Sequence, residues 1–157
     1  DIAQKYADSM ATIAVAARCA THPATGAEFG DLGDVDMEIG MGQHGEGGGG
    51  RQPMKSAKET VEIMANALVK DIPLVKGDKA FVMINGSGAT TLMEMFILYK
   101  DCVKYLESLG IEVVANMVGE ILTVQEQAGF QLNIAKWDEE TLRLWNTPAH
   151  TAAFFKE

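Results

Sequence analysis

Cysteine is scarce in this chain of 157 residues, with only Cys19 and Cys102 present. A single pair makes no disulfide framework, and a chain of this length needs no covalent staple. Two buried thiols in a reducing compartment are the expectation. Basic residues are also in short supply: 13 Lys and Arg stand against 22 Asp and Glu, for a formal charge of −9. Such a surface repels a phosphate backbone or an anionic bilayer on average, which argues against nucleic acid and membrane as partners. No apolar run approaches the roughly 20 residues that span a bilayer. The opening Asp1-Ile2-Ala3-Gln4-Lys5 lacks a basic segment leading into an apolar one, so export has no support and a cytoplasmic location is expected. Metal-ligand spacing is missing as well. His22, His44 and His150 do not fall at close ligand intervals, and neither Cys-x-x-Cys nor His-Glu-x-x-His occurs, so no metal site is expected.

What is present suits one packed domain over residues 1–157: 47% of the residues are hydrophobic and 22% charged, too apolar for a disordered tail. Residues 1–10 read as a short helix, and the apolar segment Thr12 to Ala20 as a buried strand that stops at His22-Pro23. Residues 23–34 have loop composition. Val35 to Gly42 alternates with period two, as a half-buried strand does, and then runs into Gln43-His44-Gly45-Glu46-Gly47-Gly48-Gly49-Gly50, too glycine-rich for a regular element. Ser56 with Glu59 has capping-box spacing and opens an amphipathic helix carrying Val61, Met64, Ala65 and Leu68 on one face, ending near Ile72-Pro73. Ala80 to Ile84 reads as a core strand, Asn85 to Gly88 as a turn, Thr90 to Leu109 as a second helix closed by Gly110, and Ile111 to Val118 as another strand. Strand, helix and strand make a βαβ unit with a right-handed crossover. Gln125 to Gly129 reads as a turn or short helix and Phe130 to Ala135 as a strand. Asp138 caps a last helix with Leu142, Leu144 and Trp145, broken at Pro148. The sum is an α/β domain with a mixed sheet.

Chemistry concentrates at His44, the one histidine that sits where a strand empties into an uncrowded glycine loop, so that a small ligand can approach the ring. A neutral imidazole can act as nucleophile, general base or metal ligand, and the residues alone leave these open beside a plain surface histidine. Glu46 either orients that imidazole or is a solvated carboxylate. The glycines 47–50 lack the order of a phosphate-binding loop, and Arg51 is the cation beside them. The turn Asn85-Gly86-Ser87-Gly88-Ala89-Thr90-Thr91 puts backbone N–H groups at a helix start, which suits an anion, or else simply lets helix and sheet pack closely. Met93 and Met95 read as core or interface filler, and Trp137 and Trp145 as the residues that pack the last helix down.

Three stretches in order carry a family likeness. Met37-Glu38-Ile39-Gly40-Met41-Gly42-Gln43-His44-Gly45-Glu46 resembles the substrate-histidine motif of dihydroxyacetone (glycerone) kinases. Asn85 to Thr91, followed by Leu92 to Tyr99, resembles their Asn-x-x-Gly-Ala-Thr segment, and Leu144-Trp145-Asn146-Thr147-Pro148-Ala149-His150-Thr151 resembles their C-terminal signature. The likeness spans essentially the whole chain and is to the second, C-terminal domain of the substrate-binding (DhaK-type) subunit. It implies a two-layer unit with a roughly six-stranded mixed sheet. It further implies that His44 binds dihydroxyacetone covalently as a hemiaminal and orients its hydroxyl for phosphoryl transfer, in a kinase of glycerol metabolism. Gln43 and the glycines 47–50 depart from the Ile and Gly-Pro common in the family, which leaves the anchor but opens substrate preference to a four-carbon ketose such as erythrulose.

The same resemblance implies that this chain binds no cofactor itself. ATP, or ADP recharged by a phosphotransferase-system protein, sits with magnesium on a separate nucleotide-binding DhaL-type domain or subunit. The general acid and base belong to the N-terminal half, so the chain is not expected to be active alone. Expected partners are therefore a short ketose, the N-terminal half, the nucleotide-binding protein and a second copy in a homodimer. The alternative is a non-catalytic sensor that binds the ketose and relays its presence to a transcription factor; it too would keep His44.

Overall fold

Six strands form one mixed sheet in the order β3-β2-β1-β6-β4-β5, in the computed structural model that describes residues 1–41 and 48–157. In chain order the elements are α1 (Ile2–Asp8), β1 (Met10–Arg18), β2 (Asp36–Ile39), β3 (Arg51–Pro53), α2 (Ala57–Asp71) and β4 (Lys79–Gly86). They continue with α3 (Leu92–Ser108), β5 (Glu112–Gly119), β6 (Ala128–Trp137), α4 (Glu139–Trp145) and a small hairpin of β7 (Ala149–His150) and β8 (Phe155–Lys156). Every neighbouring pair in the large sheet is antiparallel except β4 with β5. That parallel pair is joined through α3, which is the expected βαβ unit.

Strand alternation sorts the side chains onto two faces. Ala80, Val82 and Ile84 of β4, Leu132 and Ile134 of β6 and Ala11 and Val15 of β1 share a core with Val61, Met64, Ala65 and Leu68 of α2 and Met95, Leu98, Cys102 and Leu106 of α3. These two helices and the sheet are the two layers that the family resemblance implies. On the other face Phe81 stacks on Trp137 with ring centroids 4.8 Å apart. Trp145 of α4 and Tyr6 of α1 pack around that pair, so the tryptophans do hold the last helix down. Lys5 Nζ, 2.6 Å from Asp138 Oδ2, ties α1 to the start of α4.

Local signals explain the helix limits. Ser56 and Glu59 form the expected reciprocal capping box at α2, and Thr91 with Glu94 forms a second one at α3. Gly110, with φ of 77°, turns the chain out of α3 into β5. Both cysteines are buried thiols. Burial pushes the Cys102 thiol up to about 12, and raises that of Cys19 as well.

Some details depart from the sequence reading, among them the limits of β1 and β2 and the short strands β3, β7 and β8, which were not expected. The β4 strand continues through Asn85 and Gly86, where a turn was expected, because β5 and β6 supply partners on both sides up to Asn85↔Gly119 and Gly86↔Phe130. The β6 strand is longer than residues 130–135 because β1 and β4 flank it along its whole length. Of the two methionines read as core or interface filler, Met95 is buried in the core and Met93 is 72% exposed, which leaves it the interface half of that reading.

Candidate functional site

The β2 strand brings Met37 and Ile39 into the core and turns Asp36 and Glu38 the other way. Its end is fastened twice. Gly40, at φ of 88°, donates its N–H to the Ala14 carbonyl at 2.6 Å, and Met41 is buried in a small apolar cluster with Ala16, Cys19 and Leu32. The chain returns at Gly48, whose N–H donates to Glu38 Oε1 at 2.8 Å, and at Gly49, whose N–H donates to the Ile39 carbonyl at 2.6 Å. The two stems lie so close that a Cβ on Gly48 would overlap the Gly40 carbonyl and the Met41 nitrogen. Glycine at position 48 is thus a packing requirement rather than slack in the chain. From there the chain enters β3, paired antiparallel to β2. His44, together with Gln43 and Glu46, belongs to the segment 42–47 between these stems and lies outside the described residues.

Arg51 does not stand ready as a cation for a bound phosphate. Its Nε donates to Asp36 Oδ2 at 2.7 Å, and its two terminal nitrogens donate to the carbonyls of Asp31 at 2.8 Å and Leu32 at 2.7 Å. The guanidinium fork therefore ties β3 to β2 and to the preceding loop.

The turn after β4 is likewise consumed internally. Ser87 N–H donates to the Gly129 carbonyl at 3.1 Å and Ala89 N–H to that of Gln127 at 3.1 Å. Thr91 N–H donates to Glu94 Oε2 at 2.8 Å, which places a carboxylate where an anion would sit. That hydrogen bond and the one from the Thr91 hydroxyl hold the Glu94 carboxyl below its ordinary value. Of the two readings left open for this turn, close packing of helix and sheet is what the hydrogen bonds serve. Asn85 organises it: Nδ2 donates to the Leu122 carbonyl at 2.7 Å and to Gln131 Oε1 at 3.1 Å, while Oδ1 accepts from Ile121 N–H at 2.7 Å and Leu122 N–H at 3.0 Å.

The two described histidines have local structural roles. His22 Nδ1 accepts from the N–H groups of Ala24 at 3.2 Å and Thr25 at 3.3 Å, and its ring packs on Phe29. His150 of β7 packs edge-on against Phe155. A hollow of about 270 Å³ opens between β1, α2 and α3, lined among others by Val15, Met37, Met54, Leu98 and Phe130. This largely apolar lining suits a small polyhydroxy ketose poorly. Sequence reasoning missed Glu38 and Asn85 as builders of these loops. Nothing in their spacing shows what they bond, because their partners lie 10 residues away for Glu38 and 36 to 46 residues away for Asn85.

Comparison with known proteins places these observations in a family. A Dak1 domain is matched over residues 1–153. The dihydroxyacetone-binding subunit DhaK of PTS-dependent dihydroxyacetone kinase 1 from Listeria innocua is 32% identical over 154 residues, which are 98% of this chain and 47% of that protein. The corresponding subunit of the PEP-dependent kinase of Escherichia coli is 29% identical over 177 residues, 98% of this chain and 50% of that protein. An L-erythrulose kinase from Pectobacterium atrosepticum is 36% identical over 124 residues, 76% of this chain and 21% of that protein. Among solved structures, the dihydroxyacetone kinase operon co-activator Dha-DhaQ superposes with a TM-score of 0.86 at 24% identity, over 94% of this chain and 46% of that one, a likeness of fold alone. The chain spans about half the length of the DhaK relatives it matches. With a match across nearly its whole length, the chain belongs to the Dak1 domain family.

Proposed function

We propose that this chain is the C-terminal half of a dihydroxyacetone-kinase substrate-binding subunit and that His44 holds a short ketose covalently. The observation that carries the reading is the Dak1 match over residues 1–153, which takes in the whole Met37 to Glu46 motif. The fastened stems at Met41 and Gly48 support it, since they fix where the His44 segment leaves and re-enters the sheet.

The chemistry is a reversible addition. A ring nitrogen of His44 gives its lone pair to the ketone carbon and the C–N bond forms. The π pair of the carbonyl moves to oxygen, and the proton displaced from the ring ends on that oxygen as a hydroxyl. Nothing leaves. Glycerol, without an electrophilic carbon, is excluded by chemistry rather than by shape. Covalency also adds holding power that a ligand of so few atoms could not reach through contacts, given a ceiling of about 1.5 kcal/mol per heavy atom. The terminal hydroxyl is thereby held for phosphoryl transfer, where positioning supplies much of the catalysis.

In this reading the acid and base come from an N-terminal half, and the phosphoryl donor, ATP or recharged ADP with magnesium, sits on a separate nucleotide-binding domain or subunit. The engagement of Arg51 and of the turn amides at residues 87–91 with protein groups supports a donor held elsewhere. The protein acts in the cytoplasm as a homodimer, a state supported by the exposed apolar row Leu92, Met93, Phe96 and Ile97 on α3. The likeness to an L-erythrulose kinase at 36% identity favours a second reading in which the ketose has four carbons.

The test is phosphate-ester formation by the chain assembled with its N-terminal half and nucleotide-binding partner, offered dihydroxyacetone, erythrulose and glycerol in turn. Ketoses should be phosphorylated and glycerol not, and His44→Ala should lower the rate by about 10²-fold or more, the cost of losing alignment. Equal use of glycerol, or a wild-type rate in His44→Ala, would contradict the reading. Ketose capture without any turnover would instead mark a sensor.

A further inference from the structure

The two edges of the large sheet are finished differently. At one edge β3 is three residues long, carries Arg51 and ends on Pro53, each of which discourages a further strand. At the other edge β5 runs for eight residues, contains no proline, lysine or arginine, and pairs with β4 alone among the described residues. None of its residues is buried, so its outward row of N–H and C=O groups stands open. Its neighbouring carboxylates are turned to the sheet: Glu112 lies opposite Lys79 on β4, and Glu120, just past the strand, folds over Gly86. A register shift at Ala80 and Phe81 bulges the start of β5 and leaves residues 115–119 as its straight part. Helix α3 flanks that stretch. Burial raises the Tyr99 hydroxyl and the Asn116 amide beside it pulls the other way, so Tyr99 lies over the middle of β5. Phe96 and Leu92 come three and seven residues earlier, on the same side of the helix. Because α3 runs back against β5, they fall toward the end of the strand, where Ile121 and Leu122 follow. All four are exposed.

We infer that β5 is a docking edge for a second copy of this chain, whose own β5 joins it antiparallel about a two-fold axis. The inference rests on the reading of the protein as a homodimer and names the edge that makes it. In such a pairing each strand supplies donors and acceptors to the other, so the edge is matched by itself. The two Glu112 side chains lie at opposite ends of the joint. A chain of net charge −9 therefore meets its copy along residues 115–119, a stretch with no charge. The pairing also closes. The joined sheet ends on β3 at both sides, neither end invites a further strand, and assembly stops at two copies. Strand pairing alone buries little area, and Leu92, Phe96, Ile121 and Leu122 give the joint its apolar flank.

The test follows mass by light scattering and hydrogen exchange at the β5 amides for wild type, Asn116→Lys and Asn66→Lys, in the chain alone and assembled with its N-terminal half. Asn66 is an exposed residue of α2 and takes the same change of charge away from the edge. Wild type should be a dimer whose β5 amides exchange more slowly as concentration rises. Asn116→Lys should raise the dimer dissociation constant by roughly tenfold or more, since two lysines then meet in the joint, while Asn66→Lys leaves it unchanged. The exchange measurement on wild type needs no variant, so it decides even where Asn116→Lys fails to fold. A wild-type dimer whose β5 amides exchange as fast as those of the monomer overturns the assignment and leaves the homodimer intact. A dissociation constant that Asn116→Lys leaves unchanged, or that Asn66→Lys raises equally, does the same. Protection that comes with the N-terminal half and not with concentration gives the edge to that half, and also overturns it. A wild type that stays monomeric overturns the homodimer reading and this one together.

Discussion

Asn85 shows how much one buried side chain can organise. All four of its amide hydrogen-bonding positions are used, two by backbone N–H groups at Ile121 and Leu122, one by the Leu122 carbonyl and one by Gln131. Alanine there would strand the backbone groups of the loop after β5, and stranded buried groups cost about 1–3 kcal/mol each. We expect Asn85→Ala to destabilise the fold by roughly 2–4 kcal/mol, read as a lower urea midpoint at an unchanged slope. A loss within about 0.5 kcal/mol, the scatter of ordinary surface substitutions, would mean that water replaces those bonds. The sequence marks Asn85 as the first residue of a glycine turn and of a stretch that resembles the family's Asn-x-x-Gly-Ala-Thr segment, but neither says what its side chain holds. Its role was not legible because polar residues near a glycine look alike until the distant loop they hold is known. His44 stands out in the sequence for the opposite reason: a histidine beside glycines after an alternating strand is a local pattern, and the resemblance to the family rests partly on it, while its role stays a proposal because it lies outside the described residues.

Helix α3 is set by its caps and by its crossover position. Thr91 accepts from Glu94 N–H while the Glu94 carboxylate accepts from Thr91 N–H, and Glu59 does the same with Ser56 at α2. Hydrogen bonds to the ionised form hold both carboxyls below their ordinary value of 4.5. Because the folded values are the lower ones, this stabilisation is fully present above pH 4.5 and is lost as pH falls through the depressed folded values. A comparison of wild type with Glu94→Gln should therefore show a constant gap in urea midpoint near neutral pH that closes below pH 4.5. A gap independent of pH would assign the effect to shape instead of charge. The α2 cap, both long helices and the βαβ unit could be read from sequence because their signals lie within a few residues of one another, whereas the Thr91–Glu94 cap of α3 was missed. The sheet order could not. Pairing of β1 with β6 joins Met10 to Ala135, and β3, only three residues long, exists because β2 lies beside it rather than from any propensity of Arg51-Gln52-Pro53.

At the scale of the whole molecule, an apolar row on α3 stands exposed among the described residues. Leu92, Met93, Phe96 and Ile97 follow the helical repeat along α3, with Met93 72% and Phe96 52% exposed, on a chain whose net charge of −9 otherwise favours solvation. If a second copy covers that row, Met93→Glu with Phe96→Glu should convert a dimer to a monomer in light scattering while leaving the circular dichroism unchanged. A dimer that survives both charges would place the interface elsewhere. The row is visible in the sequence only as a helix more apolar than one buried face needs, and no local signal says what covers it. The central claim, that a short ketose is captured covalently at His44, has a more direct measurement. It is the carbon-13 NMR spectrum of dihydroxyacetone labelled at its carbonyl carbon, added to the chain together with its N-terminal half. The account predicts that the ketone signal gives way to that of a tetrahedral carbon, and that His44→Ala abolishes the change. A ketone signal left intact in the assembled wild-type protein would contradict it.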